Sequence, residues 1–520
     1  MFPAQEWKNA SPGALNSSFG GPQKVTYPNM SPKIRTMLLR LALVPVAAIV
    51  LAVAGCTSSL TNGTQSNVNG GSVFVVGTDA PPLAAVVGFP VTITSITANP
   101  TTGTPVCLIS SCTTGVTADF ARFNGLQTVL DDSNVPQGTY DSITITLGTG
   151  TIDYLSVPTP LGSAPPTIAT MAATYSPSNS VTITLANPLV VAPAGGEPVG
   201  LRIDFDLAKS IQVSGTPATV TGAVNPTFDV STVTRTDTFA HIDEFIGSVT
   251  TLPTTSGTPP AAAEPNSFVI TGPHGEPFTI KTTSSTEWDG GASLAGLNST
   301  SIVAVAGQFD PAEQTLDADE VALISDTGFY AGGLVTYVTP SSGPATNMQF
   351  YVHKVLPSGL SEVPLGGLAS VSITGNENYG IYWMHNSFTN LLFNDQALTP
   401  GQEITVGGAD PTASPFDVKR IHLQNRGYNG TVVAGSEKPG QGTFQMNVTG
   451  FAGQVISSPI TVYLGGGCDF RFGFGKFDDV TDNASIRVVG LLLKLNGQEV
   501  LVARHLDGLQ FTDMTTAAWQ

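Results

Sequence analysis

The chain has 520 residues, with 20 Lys+Arg against 38 Asp+Glu and a formal net charge of −18. A chain this acidic repels phosphate backbones, which argues against nucleic acid as a partner. Only 11% of it is charged, and no long segment shows charged helical periodicity, so short apolar–polar alternations split by Gly, Pro and Asn turns point to all-β modules.

From Leu41 to Ala54 the chain carries no charge, and Lys33, Arg35 and Arg40 precede the run. Its length falls short of the about 20 residues a helix needs to cross a bilayer. A basic region, a short apolar region and a small-residue end describe a signal peptide rather than a membrane span. The ending Val53-Ala54-Gly55-Cys56 resembles the lipobox of bacterial lipoproteins. That resemblance implies cleavage before Cys56, lipidation of this cysteine and a membrane anchor in the cell envelope. With Thr57 rather than Asp next, it implies the outer membrane rather than the inner. The long stretch ahead of Met30 is most simply explained by a translation start assigned upstream of the real one, at Met30 or Met37. Residues 1–55 are read as the signal peptide, and residues 56–71 as the lipidated cysteine and a flexible tether. Residues 1–55 hold five basic residues and one acid, leaving 15 against 37 and a net charge of −22 beyond them.

Residues 72–235 read as a β-sandwich of transthyretin- or immunoglobulin-like build. VTITSIT, SITITLG, VTITLAN and LRIDFDL are strands, and in the last Leu201, Ile203, Phe205 and Leu207 alternate with Arg202, Asp204 and Asp206. A period of two buries one face and wets the other. Cys107 and Cys112 enclose a short turn-rich loop, which in an oxidising compartment reads as a local disulfide. Closing so short a loop contributes only about 2 kcal/mol in the chain-entropy model. Cys468 is left odd and reads as a buried free thiol. The opening Thr78-Asp79-Ala80-Pro81, the Val135-Pro136-Gln137-Gly138-Thr139-Tyr140 turn and the Asp204-Phe205-Asp206…Ser210-Ile211 segment together resemble an envelope domain family of unknown function. The resemblance implies architecture and location and carries no catalytic residue.

Beyond residue 240 one pattern recurs three times, over residues 240–326, 327–426 and 427–512. Each copy has a Gly-started strand, a hairpin, a strand ending in Val-x-Gly and a closing strand. Small closed barrels fit five or six such strands, and the copies resemble a second uncharacterised bacterial family of OB-like barrel repeats. The modules are expected to follow one another in a line, like beads behind the tether.

Candidate sites are sparse. Asp204 and Asp206 could join a Ca²⁺ site if loops added oxygen ligands; the simpler reading is a solvated sheet face with Arg202 offsetting the charge. In the stretch of Asp317, Asp319 and Glu320 two acids read as lying on the open face of a closing strand, and Asp79 reads as a turn-stabilising side chain. The six histidines show no zinc spacing. The aromatic stretch around Tyr382 and Trp383 is the most unusual. Exposed on a barrel, the pair would stack on a sugar or an apolar partner surface; otherwise Ile381 and Trp383 fill a core. No catalytic motif is present, so the expected function is non-catalytic binding or scaffolding, with a glycan or envelope protein as ligand and the lipid anchor in the membrane. The alternative is a hydrolase of envelope or extracellular polymers with its site between modules.

Overall fold

The computed structural model describes residues 70–508, apart from 79–85, 110–111, 114, 156–163, 216–218, 235–240, 255–265, 273–276, 311–314, 358, 383–390, 411–414, 450–455, 457–458, 472 and 496. Cys56, Asp79 and Trp383 lie outside the described residues, as do the signal and nearly all of the tether.

The first module is a sandwich. One sheet has four strands in the order Phe228–Thr234, Val199–Phe205, Gly70–Thr78 and Thr128–Pro136, with the middle pair parallel. The other is built on the 18-residue strand Gly138–Leu155, flanked by Ser180–Val191 and Pro90–Pro100. Between the sheets Val73, Val75, Leu201, Ile203 and Phe205 meet Ile96, Ile143, Ile145 and Leu147 in one core. The alternation at 201–207 follows the expected period of two, with Arg202, Asp204 and Asp206 more open than their neighbours.

Three barrels follow, all with one topology. In the first, His241–Thr254, Asn266–Thr271 and Pro277–Thr282 form a meander. Strand Thr315–Ser325 then runs parallel to Pro277–Thr282, and Ile302–Asp310 closes the ring onto His241–Thr254. The second repeats this with Tyr330–Thr339, Asn347–Leu356, Leu368–Ser372, Glu403–Asp410 and Phe416–Gln424. The third uses Arg426–Val432, Thr443–Val448, Ile460–Arg471, Ser485–Leu495 and Gln498–Gly508. The strand just ahead of Tyr382 belongs to this plan. Asn378–Ile381 runs parallel to the fifth strand of its barrel, as Glu287–Asp289 does in the first.

The recurring glycines have a steric cause. On the first strand of each barrel, a Cβ on Gly247, Gly333 or Gly430 would sit 2.7, 1.8 or 2.2 Å from the carbonyl oxygen of Thr271, Tyr351 or Asn447 on the second strand. On the fourth strand, a Cβ on Gly307, Gly408 or Gly490 would sit 2.1, 2.7 or 2.1 Å from the carbonyl oxygen of Asp317, Asp417 or Val502 on the fifth. The fourth-strand glycine coincides with a register shift in every copy, so it marks the bulge that lets a small barrel bend shut.

The linear arrangement does not hold. Strand Gly70–Thr78 is buried on both faces: Val73 and Val75 enter the sandwich core, while Phe74 and Val76 enter the core of the first barrel. Phe74 lies 5.4 Å from the ring of Phe309. The closing hairpin of the third barrel likewise splits its side chains, Leu492 and Leu501 inward and Leu491, Leu493, Val500 and Val502 onto the second barrel. A strand buried on both faces reads as a continuous apolar run, which is why SVFVVG and VVGLLL lose their alternation there. Such runs take the modules off a line and pack them side by side.

Candidate functional site

Where the sandwich and the three barrels meet, the packing turns from apolar to charged. The first strand of the first barrel carries His241, Asp243 and Glu244, and its pairing with Ile302–Asp310 is irregular between Ile242 and Phe245. That irregularity breaks the period of two, so the consecutive Asp243 and Glu244 are both buried. Glu244 takes Arg122 of the sandwich at 3.3 Å and Lys354 of the second barrel as ion-pair partners. Asp243 takes Arg504 of the third barrel at 2.8 Å and accepts the backbone N–H of Gln127 at 3.0 Å. Arg504 also reaches His241 Nε2 at 3.1 Å.

A second set adjoins the first. Glu403 joins His353 Nδ1 at 3.0 Å and Arg426 at 2.9 Å, and His353 Nε2 meets the Val87 carbonyl oxygen at 3.0 Å. The Phe89 N–H donates to Asp119 at 2.7 Å, and the Tyr351 hydroxyl donates to Asp153 at 2.5 Å. Asn124 donates to the Gly427 carbonyl at 3.0 Å and accepts from Arg487, which pairs with Asp507 at 2.7 Å. Each of the four modules is thereby tied to the others by groups it could not bury alone.

Electrostatics sort these groups. Burial by itself would raise Glu403, but His353, Arg426 and Lys354 outweigh it and hold the carboxyl down at about 2. Burial pushes Lys354 below the usual lysine range, against the pull of Glu244. Asp119 and Asp153 are raised by burial, with His353 opposing. The cavity lined by Arg122, Asp243, Glu244, Lys354, Tyr382 and Arg504 has a volume of ≈ 10 Å³, about the room of one water molecule. Substrate clefts are commonly about 300–1,000 Å³.

The residues singled out from sequence fall elsewhere or change role. Tyr382 is no exposed platform: it is 3% exposed, packed with Ile246, Ile302, Ala304 and Tyr330 between the first two barrels and lining the small cavity. It turns inward because its N–H continues the parallel pairing to the Leu423 carbonyl at 2.9 Å. Asp204 and Asp206 take separate partners. Asp204 pairs with Arg202 at 3.0 Å, and Asp206 caps the short helix Leu207–Ser210, accepting the Lys209 N–H at 3.0 Å. Among the described residues no group of three or more His, Cys, Asp or Glu is placed to hold a metal. Asp317 and Asp319 are the two acids on the more open face of the closing strand, and Glu320 between its neighbours is fully buried. Cys107 and Cys112 are disulfide-bonded, and Cys468 is free and half-buried, with burial pushing its thiol up to about 12.

Sequence reading missed the junction. Its signal was present as charge inside strands that are otherwise apolar, in HIDEF, YVHKV and LVARHLD. In a chain with so little charge, such residues have a partner waiting.

Residues 70–220 match the profile of a family described as a domain of unknown function (DUF4382). The match spans most of the sandwich, including Arg122 and Asn124 of the junction, and covers less than a third of the chain. Curated proteins offer no match.

Proposed function

We propose that the protein is a non-catalytic binding or scaffolding module of the bacterial cell envelope, anchored through lipid on Cys56 at the outer membrane, with a glycan or an envelope protein as its ligand. The observation that carries this reading is the closed junction. Its acids and bases are spent on one another across module boundaries, around a cavity of ≈ 10 Å³. General acid–base work needs a titratable group within hydrogen-bond reach of a substrate, whereas here the charges hold four modules in one orientation. Such a body presents fixed outer sheets at the end of a tether, which suits contact rather than turnover.

The test pairs two readouts on full-length protein from a membrane fraction. Intact-mass measurement is expected to show lipid on Cys56, and incubation with envelope polymers is expected to give retention without released product. An unmodified Cys56 would remove the anchor from this reading. Product release abolished by Glu244→Gln would replace the reading with a hydrolase.

A further inference from the structure

Three adjacent strands of the sandwich carry the same triplet, Thr-Ile-Thr, at 92–94, 144–146 and 182–184. On Gly138–Leu155 and Ser180–Val191 the isoleucines Ile145 and Ile183 pack toward the core, and the threonines face out. The pairing register sets the outward residues in rows. Thr97, Thr144 and Thr182 form one row; Ser95, Thr146 and Ser180 the next; Asn99, Ser142 and Thr184 the third. None of the nine is buried and none is charged.

Cross-strand hydrogen bonds hold the rows. Thr144 and Thr182 hydroxyls are 2.8 Å apart, Thr146 and Ser180 are 3.1 Å apart, and the Asn99 amide donates to Thr144 at 2.9 Å and Ser142 at 3.2 Å. A hydroxyl has one donor and two acceptor sites, so capacity toward solvent remains after one ladder bond, or after the two that Thr144 makes. Neighbouring outward groups are about 4.8 Å apart across the strands and about 6.7 Å apart along them.

We infer that this face docks an uncharged, extended β-linked polysaccharide lying across the strands. The inference rests on the binding reading above and names its ligand. Charge selects the class: beyond residue 55 the chain is strongly acidic, so its field repels anionic polymers. A cationic partner would settle on carboxylate-bearing faces instead of this one, whose nearby Asp141 is engaged by the Thr101 hydroxyl. What fits a neutral lattice of hydroxyl and methyl groups is a neutral polyhydroxyl chain. The strand spacing is close to the advance of one pyranose ring in an extended β-linked chain, so each ring meets one strand. Without an aromatic platform each ring contributes little, and only long chains are retained.

The test is depletion of the full-length protein from solution by swollen cellulose and by chitin, with alginate as the anionic comparison. Cellulose or chitin is expected to deplete the protein and alginate to leave it in solution. The triple variant Thr97→Val, Thr144→Val, Thr182→Val removes one row while keeping strand-forming side chains, and a tenfold or greater loss of binding is expected with an unchanged thermal midpoint. If the triple variant folds poorly, Thr182→Val alone, at the exposed end of the row, is expected to lower binding about threefold. No depletion by either neutral polymer, or undiminished binding by the row variant, overturns the inference. Neither result touches the non-catalytic reading, which fails instead on release of soluble sugar.

Discussion

Inside the barrel walls, three copies solve one steric problem in one way. A glycine on the first strand and another on the fourth face a neighbouring carbonyl that leaves no room for a Cβ. At the junction nothing repeats. The sandwich supplies Arg122, the first barrel Asp243 and Glu244, the second Lys354 and Glu403, and the third Arg426 and Arg504. The copies share what makes each a barrel and differ in what faces the other modules. Closing a barrel is a local demand made three times, whereas assembling unlike neighbours requires each copy to carry a different half of an ion pair.

The largest expected effect breaks the junction. Glu403→Gln leaves His353 and Arg426 buried without their anion, and removing one partner of a buried pair costs about 3–5 kcal/mol. The wild-type carboxyl also has a pH signature. It is held at about 2 against a reference of 4.5, so its contribution, about 3 kcal/mol, is present above pH 4.5 and lost as the pH falls toward 2. Urea unfolding across that window is expected to show the wild type losing stability more steeply than the variant. A Glu403→Gln protein within 1 kcal/mol of wild type at pH 7 would mean that the modules are held by their apolar seams alone.

A somewhat smaller effect is expected in the wall. Gly333→Ala places a Cβ 1.8 Å from the Tyr351 carbonyl oxygen, and the two strands cannot both stay in place. Overpacking of this kind costs about 1–3 kcal/mol, here at the upper end. Gly440→Ala is the matched control, because nothing lies within 4 Å of its Cβ, and a change within about 0.5 kcal/mol is expected there. Equal thermal midpoints for the two variants would remove the steric account of the recurring glycine.

The same contrast explains what could be read in advance. Alternation exposed the sandwich strands, and the Gly-started and Val-x-Gly strands exposed three barrels, since both patterns are local in sequence. Strand Leu368–Ser372 leaves a fainter mark, because LASVS carries no glycine and a weak alternation. Tyr382 was misplaced because one added bridge to Leu423 turns it inward, and no local pattern records that. The junction leaves only half a mark, charge inside otherwise apolar strands, and no record of its pairing. Arg122 and Glu244 are 122 residues apart, and Asp243 and Arg504 are 261 apart, so nothing local says which partner each charge meets.

The last effect has the opposite sign and sharpens the distinction between buried charges that are matched and those that are not. Glu320 is fully buried on the fifth strand of the first barrel, with the Asp289 carboxyl as its hydrogen-bonding neighbour. Burial raises its pKa well above 4.5, with Asp289 adding to the rise and Arg504 only partly opposing it. A carboxyl with a raised folded-state pKa costs nothing below the unfolded value. As the pH climbs past about 4.5, the unfolded chain gains by ionising and the folded one does not. Each unit of that difference removes about 1.4 kcal/mol once the pH exceeds both values. Glu320→Gln removes the ionisation, so the variant is expected to match the wild type near pH 4.5 and to exceed it increasingly as the pH rises to 8, measured by urea midpoints. This is the reverse of Glu403→Gln, although both residues are buried glutamates on barrel strands. A Glu320→Gln protein less stable than wild type by 2 kcal/mol at pH 8 would show that Glu320 is ionised against Arg504 and belongs to the junction after all.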